Sequence, residues 1–136
     1  MSLSVALTQS SPVRRGRTAL IALWTVQVAL AGMFLLAGGS KLVGASPMVA
    51  LFNTIGLGQS FRYVTGIIEV ASAVALLVPA FAVFGALALV PTMVGAVLAE
   101  LFVVHDSAVP PAILLLGVVL VVWARRHELG IGRSGR

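Results

Sequence analysis

The chain contains no cysteine and few charged residues, which make up only 10% of its 136 residues. Without cysteine it cannot form a disulfide scaffold, a thiolate-ligated zinc or iron–sulfur site, or a dithiol redox centre of its own. A soluble domain carries roughly 25% charged residues, so this charge content is too low to cover a water-soluble surface. Disorder is excluded as well, because disordered chains combine low hydrophobicity with high charge.

Long hydrophobic runs take the place of the missing charge. Hydrophobic residues make up 60% of the chain, and the mean hydropathy is +1.11. Residues 18–40 and 107–124 are uncharged, and about 20 apolar residues suffice for a helix to cross a bilayer. A single helix over residues 63–104 would measure about 63 Å, twice the thickness of the bilayer core. This segment must fold back, and Pro79 marks the break because proline ends or kinks helices.

The fold class predicted from these runs is all-α, an integral membrane four-helix bundle. The four transmembrane helices are expected at about residues 18–41, 60–78, 81–104 and 107–124. The first hydrophobic run is too long for the core of a signal peptide, so we expect it to be retained. Residues 1–17 and 125–136 are expected to be basic cytoplasmic tails, because basic flanks remain on the inner side of a membrane. The protein is then integral to the plasma (inner) membrane, with both termini on the cytoplasmic side.

The connector between the first two spans is the only sizeable loop. Ser46 and Pro47 form a typical helix start, and Gly56 is a typical helix end. Apolar residues recur between them at the spacing of one helix face, namely Met48, Leu51, Phe52 and Ile55. The pattern predicts a short helix in the outer membrane interface, and a packed hairpin loop remains open as the alternative.

The basic residues explain the net charge of +5, which comes from nine lysines and arginines against four acidic residues. A pI of about 11.5 is typical of nucleic-acid-binding proteins. However, most of the basic residues flank the predicted spans: Arg14, Arg15, Arg17, Arg125, Arg126, Arg133 and Arg136. We therefore interpret the excess of basic residues as a signal that sets the membrane topology. The same residues are expected to contact anionic lipid headgroups. No nucleic-acid partner is expected.

The ionisable residues away from the flanks collect at the outer end of the predicted bundle. They are Lys41, Arg62, Glu69, Glu100, His105 and Asp106. A charge inside a span costs about 2.5–3.5 kcal/mol on insertion scales and is normally paired or functional. Three interpretations remain open. The first is a set of ion pairs that fixes helix register, in which Lys41 or Arg62 neutralises Glu69. The second is a pocket for a quinone headgroup, for another amphiphile or for protons, and the third is contact with a charged partner protein.

No other grouping of residues indicates catalysis. Glu69, Glu100 and His105 do not place two ligands at i, i+3 or i+4 on one helix, so no metal site is expected. The sequence also lacks a phosphate-binding loop, a dinucleotide fingerprint and a plausible Ser-His-Asp grouping. Small residues predict close helix contacts at Gly38, Gly66, Ala88 and Ala96. The fourth span, rich in Leu and Val, is expected to be more peripheral.

Three motifs resemble the DoxX-like family. They are Phe34-Leu-Leu-Ala-Gly-Gly-Ser-Lys41-Leu42, Gly66-x-x-Glu69 followed by Leu76-Leu77-x-Pro79, and Met93-x-x-Ala96 running toward Glu100. The resemblance covers about residues 20–124. It implies a small four-helix membrane protein with Lys41 and Glu69 as signature charges. Members are linked to quinone-dependent sulfur oxidation as small membrane subunits and to membrane-associated redox-protective complexes, and animal relatives are linked to receptor assembly.

The expected function is that of a small membrane subunit, anchor or assembly partner in a larger complex, such as a redox complex. Its partners would be the lipid bilayer and other membrane subunits or a second copy of the chain. We expect no independent catalytic activity and no covalently bound cofactor, with quinone as a candidate ligand. Two alternatives remain: a quinone-linked oxidoreductase component that binds quinone at the polar cluster, and a small proton-coupled carrier.

Overall fold

The computed structural model describes residues 16–129, and over this range the chain is helical without any strand. The α-helices are α1 (Arg17–Leu42), α2 (Ser46–Ile55), α3 (Gln59–Leu76), α4 (Ala82–Ala99) and α5 (Val109–Ala124). A π-helical turn at Glu100–Val104 extends α4, and a 3-10 turn at Arg126–Leu129 follows α5. The four longer helical segments begin and end within two residues of the predicted ones. Arg14, Arg15, Arg133 and Arg136 lie outside the described residues.

Two helical segments within residues 16–129 are long and apolar enough to cross a membrane. They are Arg17–Leu42, with a mean hydropathy of 2.1, and Ala82–Val104, with a mean hydropathy of 2.2. Helix α5 is apolar but shorter, and α3 is less apolar because it carries Gln59, Arg62 and Glu69.

The connector between α1 and α3 forms a helix rather than a packed loop. Pro47 occupies the first turn of α2, where its missing N–H group is not needed. Gly56 ends the helix with a φ of +82°, and its N–H donates to the carbonyl oxygen of Phe52. Glycine adopts this left-handed conformation without the steric cost that a Cβ atom imposes.

The long helices run antiparallel to their neighbours and enclose one core. Helix α1 packs on α3, α3 on α4, α4 on α5, and α5 on α1. Val118 and Val121 of α5 are fully buried, and a Cβ atom added to Gly117 would lie 3.0 Å from Cδ2 of Leu30 on α1. Helix α5 nevertheless buries only two residues, against six each on α1, α3 and α4, which agrees with the expectation that the last helix is the more peripheral one.

Small residues let α1 and α3 approach each other closely. A Cβ atom added to Gly38 would lie 2.9 Å from the carbonyl oxygen of Gly66, and one added to Gly66 would lie 3.1 Å from that of Gly38. Ala96 packs against the core from α4. Ala88 is exposed and lines a cavity instead of a helix contact.

Candidate functional site

An ion pair between α1 and α3 is the centre of the candidate site. Nζ of Lys41 lies 3.1 Å and 2.9 Å from Oε1 and Oε2 of Glu69. The side chains are only 13% and 2% exposed. Gly38 and Gly66 lie one helical turn before Lys41 and Glu69, respectively, so their close contact brings the two charges together.

Arg62 lies behind this pair and has a different role. Its side chain is buried, Nη1 donates to the carbonyl oxygen of Lys41, and Nε donates to Oε1 of Gln59 at 2.6 Å. The last carbonyl groups of a helix lack partners within the helix. Arg62 supplies a partner at the end of α1 and so holds that end against α3. Among the described residues, Lys41 is the one that forms hydrogen bonds and a salt bridge with the Glu69 carboxylate.

A cavity of about 680 Å³ opens beside the ion pair. Its wall includes residues from all five helices, and most of them are apolar. Helix α2 contributes an apolar face, consisting of Met48, Leu51, Phe52 and Ile55. The polar side chains in the wall are few: Ser40, Lys41, Thr65, Glu69, Thr92 and Glu100. The cavity therefore offers a long apolar surface and a small polar region, which is typical of sites for small lipophilic ligands.

Glu100 lies in the same cavity wall as the ion pair but forms no salt bridge with any described residue. It begins the π-helical turn that ends at His105, whose φ is +58°. Turns of this kind are frequent at functional sites. The His105 side chain is exposed and is not part of the cavity wall. Of the predicted cluster, the structure thus brings Lys41, Glu69 and Glu100 to one cavity.

The sequence that carries these charges also matches a known protein family. The model of the DoxX-like family matches residues 25–123. The chain belongs to the DoxX-like family. No curated protein and no solved structure matches it. The family is membrane-associated, and the resemblance to it implies that Lys41 and Glu69 are signature charges. In the structure these two residues form the ion pair at the cavity.

A second buried polar group of this DoxX-like chain was missed by reasoning from sequence. Gln27 is fully buried; its Nε2 donates to the carbonyl oxygen of Leu76 at 2.8 Å, and its Oε1 accepts from Nε of Arg125 at 2.6 Å. Nη1 of Arg125 is 2.7 Å from the carboxylate of Glu128. The sequence predicted that Arg125 belongs to the basic cytoplasmic tail. The available signal was Gln27 itself, because an amide within an apolar run needs a hydrogen-bond partner when it is buried.

Proposed function

We propose that this DoxX-like protein is an integral membrane protein in which α1, α3, α4 and α5 form a transmembrane four-helix bundle. The described surface carries large apolar side chains on each of these helices, for example Leu36 at 74%, Phe84 at 56% and Leu116 at 71% exposure. Its charged pair Lys41–Glu69 is turned inward. Apolar surface on this scale is rare on a water-soluble monomer and is suited to lipid.

We further propose that the end of the bundle carrying Lys41 faces outward and that both termini are cytoplasmic, in the plasma (inner) membrane. The opposite end carries Arg17, Arg125 and Arg126, and basic flanks remain inside. Because the chain has no cysteine, single cysteines report on topology without background. Ser46→Cys should react with a membrane-impermeant maleimide in intact cells, and His127→Cys should react only after the membrane is opened. The reverse pattern would overturn this orientation.

The cavity is proposed to bind a lipophilic molecule with a polar head, with quinone as the leading candidate. One observation carries this proposal: the Lys41–Glu69 ion pair lies in the wall of a largely apolar cavity of about 680 Å³. A quinone presents carbonyl oxygens that accept hydrogen bonds from an ammonium group, and its tail suits the apolar face of α2. Glu100 adds a second carboxyl group to the same wall.

We propose that the chain acts as a membrane subunit of a larger complex, such as a redox complex. In that arrangement the chain holds the amphiphile, and a partner subunit supplies the reaction centre. Affinity purification in mild detergent should recover a stoichiometric membrane partner or a second copy of the chain. Recovery of the chain alone, as a monomer, would overturn the subunit role but not the ligand site.

A photoreactive azidoquinone tests the ligand site directly on the purified protein. Gly95 lines the cavity, and an added Cβ atom meets nothing within 4 Å, so Gly95→Phe should occupy ligand space without a backbone clash. We expect this variant to lower labelling about tenfold and Lys41→Met to lower it as well. Gly32→Phe is the matched control, since Gly32 is equally unobstructed but lies outside the cavity wall.

The position of the label gives the second readout. Peptides from α2 and from the cavity side of α4 should carry it, and an excess of unlabelled quinone should displace it. Equal labelling of the original chain, Gly95→Phe and Gly32→Phe would contradict a quinone site in this cavity.

A further inference from the structure

A second cavity, of about 490 Å³, lies between α1 and α5 at the end of the helices that carries Arg125. Its wall is largely apolar, with Ala22 and Val26 on α1 and Leu120 and Trp123 on α5. Arg126 and His127, in the turn after α5, complete it. It shares no wall residue with the cavity beside Lys41. This groove is therefore a separate apolar recess with basic side chains at one end.

Arg126 is held in a position suited to bind an anion. Its guanidinium lies 4.6 Å from the centre of the Trp123 ring, and Nη1 donates to the Trp123 carbonyl oxygen at 2.8 Å. This is the one hydrogen bond that its side chain makes with the described residues, and a guanidinium has five N–H donors. The side chain is exposed, so the remaining donors are accessible.

The two residues next to Arg126, Arg125 and His127, both lie near the carboxylate of Glu128. Arg125 is buried and bonded to Gln27 and Glu128. His127 is 65% exposed and lies 3.9 Å from the Glu128 carboxylate. The salt bridge between Arg125 and Glu128 uses the nearest acidic group, which leaves Arg126 as the cation at the groove without an acidic partner among residues 16–129.

We propose that this groove binds an anionic phospholipid of the surrounding bilayer. One acyl chain would lie against Val26, Leu120 and Trp123, and the phosphate would meet Arg126 with His127 beside it. Basic pockets between transmembrane helices on the cytoplasmic side recognise such headgroups, and arginine binds phosphate oxygens through paired hydrogen bonds. The inference rests on the proposed membrane insertion and is independent of the ligand in the cavity beside Lys41.

Charge complementarity favours this occupant over the others. A zwitterionic lipid carries no net charge to balance Arg126. The chain segments outside the described range, residues 1–15 and 130–136, contain arginines and no acidic residue. They are therefore electrostatically mismatched to a basic groove.

Tryptophan fluorescence provides a local test, because Trp123 is part of the groove wall and the chain has only one other tryptophan, Trp24. In the full-length Trp24→Phe variant, reconstituted into phosphatidylcholine vesicles, brominated phosphatidylglycerol should quench Trp123. We expect it to do so at a concentration about fivefold lower than brominated phosphatidylcholine, the preference that one arginine provides at an anionic lipid surface.

Three further variants assign the preference to the groove. Arg126→Gln should abolish it, and Arg126→Lys should retain most of it because the positive charge remains. Ala22→Phe should reduce quenching by both lipids, because the added ring fills the recess. Arg17→Gln is the matched control, since Arg17 is an exposed cation at the same end of the helices but not part of the groove wall.

The possible outcomes separate this inference from the proposed membrane insertion. Equal quenching by both lipids, or an equal loss of preference in Arg17→Gln, overturns the lipid site while leaving insertion intact. Protection of Trp123 from both lipids, relieved by deleting residues 130–136, assigns the groove to the chain's own tail and also overturns the site. Extraction of the protein from the vesicles by alkaline carbonate overturns insertion itself.

Discussion

Gln27 and Arg125 are 98 positions apart in the sequence and meet through a hydrogen bond of 2.6 Å between Oε1 and Nε. The same Gln27 amide donates to the carbonyl oxygen of Leu76, so one side chain ties α1 to the ends of α3 and α5. Arg125 also lies over the Trp24 ring, 5.5 Å from its centre. All of the polar atoms involved are buried and satisfied, which makes this contact a polar clamp opposite the Lys41–Glu69 ion pair.

Replacing Gln27 with leucine should destabilise the protein. The variant keeps the side-chain volume but leaves the Leu76 carbonyl and the Arg125 guanidinium buried without their partner. Such losses cost about 1–3 kcal/mol. Thermal unfolding in detergent, followed by circular dichroism, should show a lower midpoint. Thr25→Val, an exposed substitution on the same helix, is the control, and an equal midpoint for both variants would contradict the clamp.

Lys41→Met should lower the free energy of unfolding more than the combined change of Lys41→Met and Glu69→Gln. Removing one partner of a buried ion pair leaves an uncompensated charge and costs about 3–5 kcal/mol, whereas replacing both avoids that cost. Chemical denaturation of the two single variants and the double variant gives the coupling free energy. Additive effects of the two substitutions would show that the charges are not coupled.

Gly38→Ala and Gly39→Ala should have opposite effects, although they are adjacent in α1. A Cβ atom at position 38 would lie 2.8 Å from Cγ2 of Val70 and 2.9 Å from the Gly66 carbonyl oxygen. Overpacking of this kind costs about 1–3 kcal/mol. At position 39 an added Cβ meets nothing within 4 Å, so alanine should stabilise the helix by up to about 1 kcal/mol.

The measurement for this glycine pair is the unfolding midpoint of each variant in the same detergent. Labelling of the cavity by the azidoquinone gives a second readout. In Gly38→Ala the added Cβ atom should push α1 away from α3 and so also separate Lys41 from Glu69. A Gly38→Ala variant as stable as Gly39→Ala would contradict the close approach of α1 and α3.

Arg62→Met should loosen the contact between the end of α1 and α3. The substitution removes the donors to the Lys41 carbonyl oxygen and to Gln59, and hydrogen bonds from charged groups contribute about 1.5–3 kcal/mol. Hydrogen exchange followed by mass spectrometry should show faster exchange at residues 43–45. Arg62→Lys should recover little of the protection, because an ammonium group lacks the planar fork that reaches both acceptors at once.

Helix positions could be predicted from sequence because hydrophobic runs and proline and glycine signals are local. The short helix α2 is one example, since Pro47 and Gly56 mark its ends. Lys41 and Glu69 were also recognisable as a candidate pair, because charges in apolar helices seek partners. The pairing itself was not decided, since Arg62 was an equal candidate for Glu69 until its guanidinium was found on the Lys41 carbonyl oxygen.

The sequence by itself determined an all-helical chain, the approximate bounds of its helices and membership in the DoxX-like family. It did so because propensity, hydropathy and motif spacing act over short distances along the chain. Only the tertiary structure decided which polar groups meet. It grouped Lys41 and Glu69 with Glu100 around one cavity, left His105 outside, and buried Arg125 against Gln27. These outcomes depend on how closely the helix faces approach, which is set by packing between residues far apart in sequence.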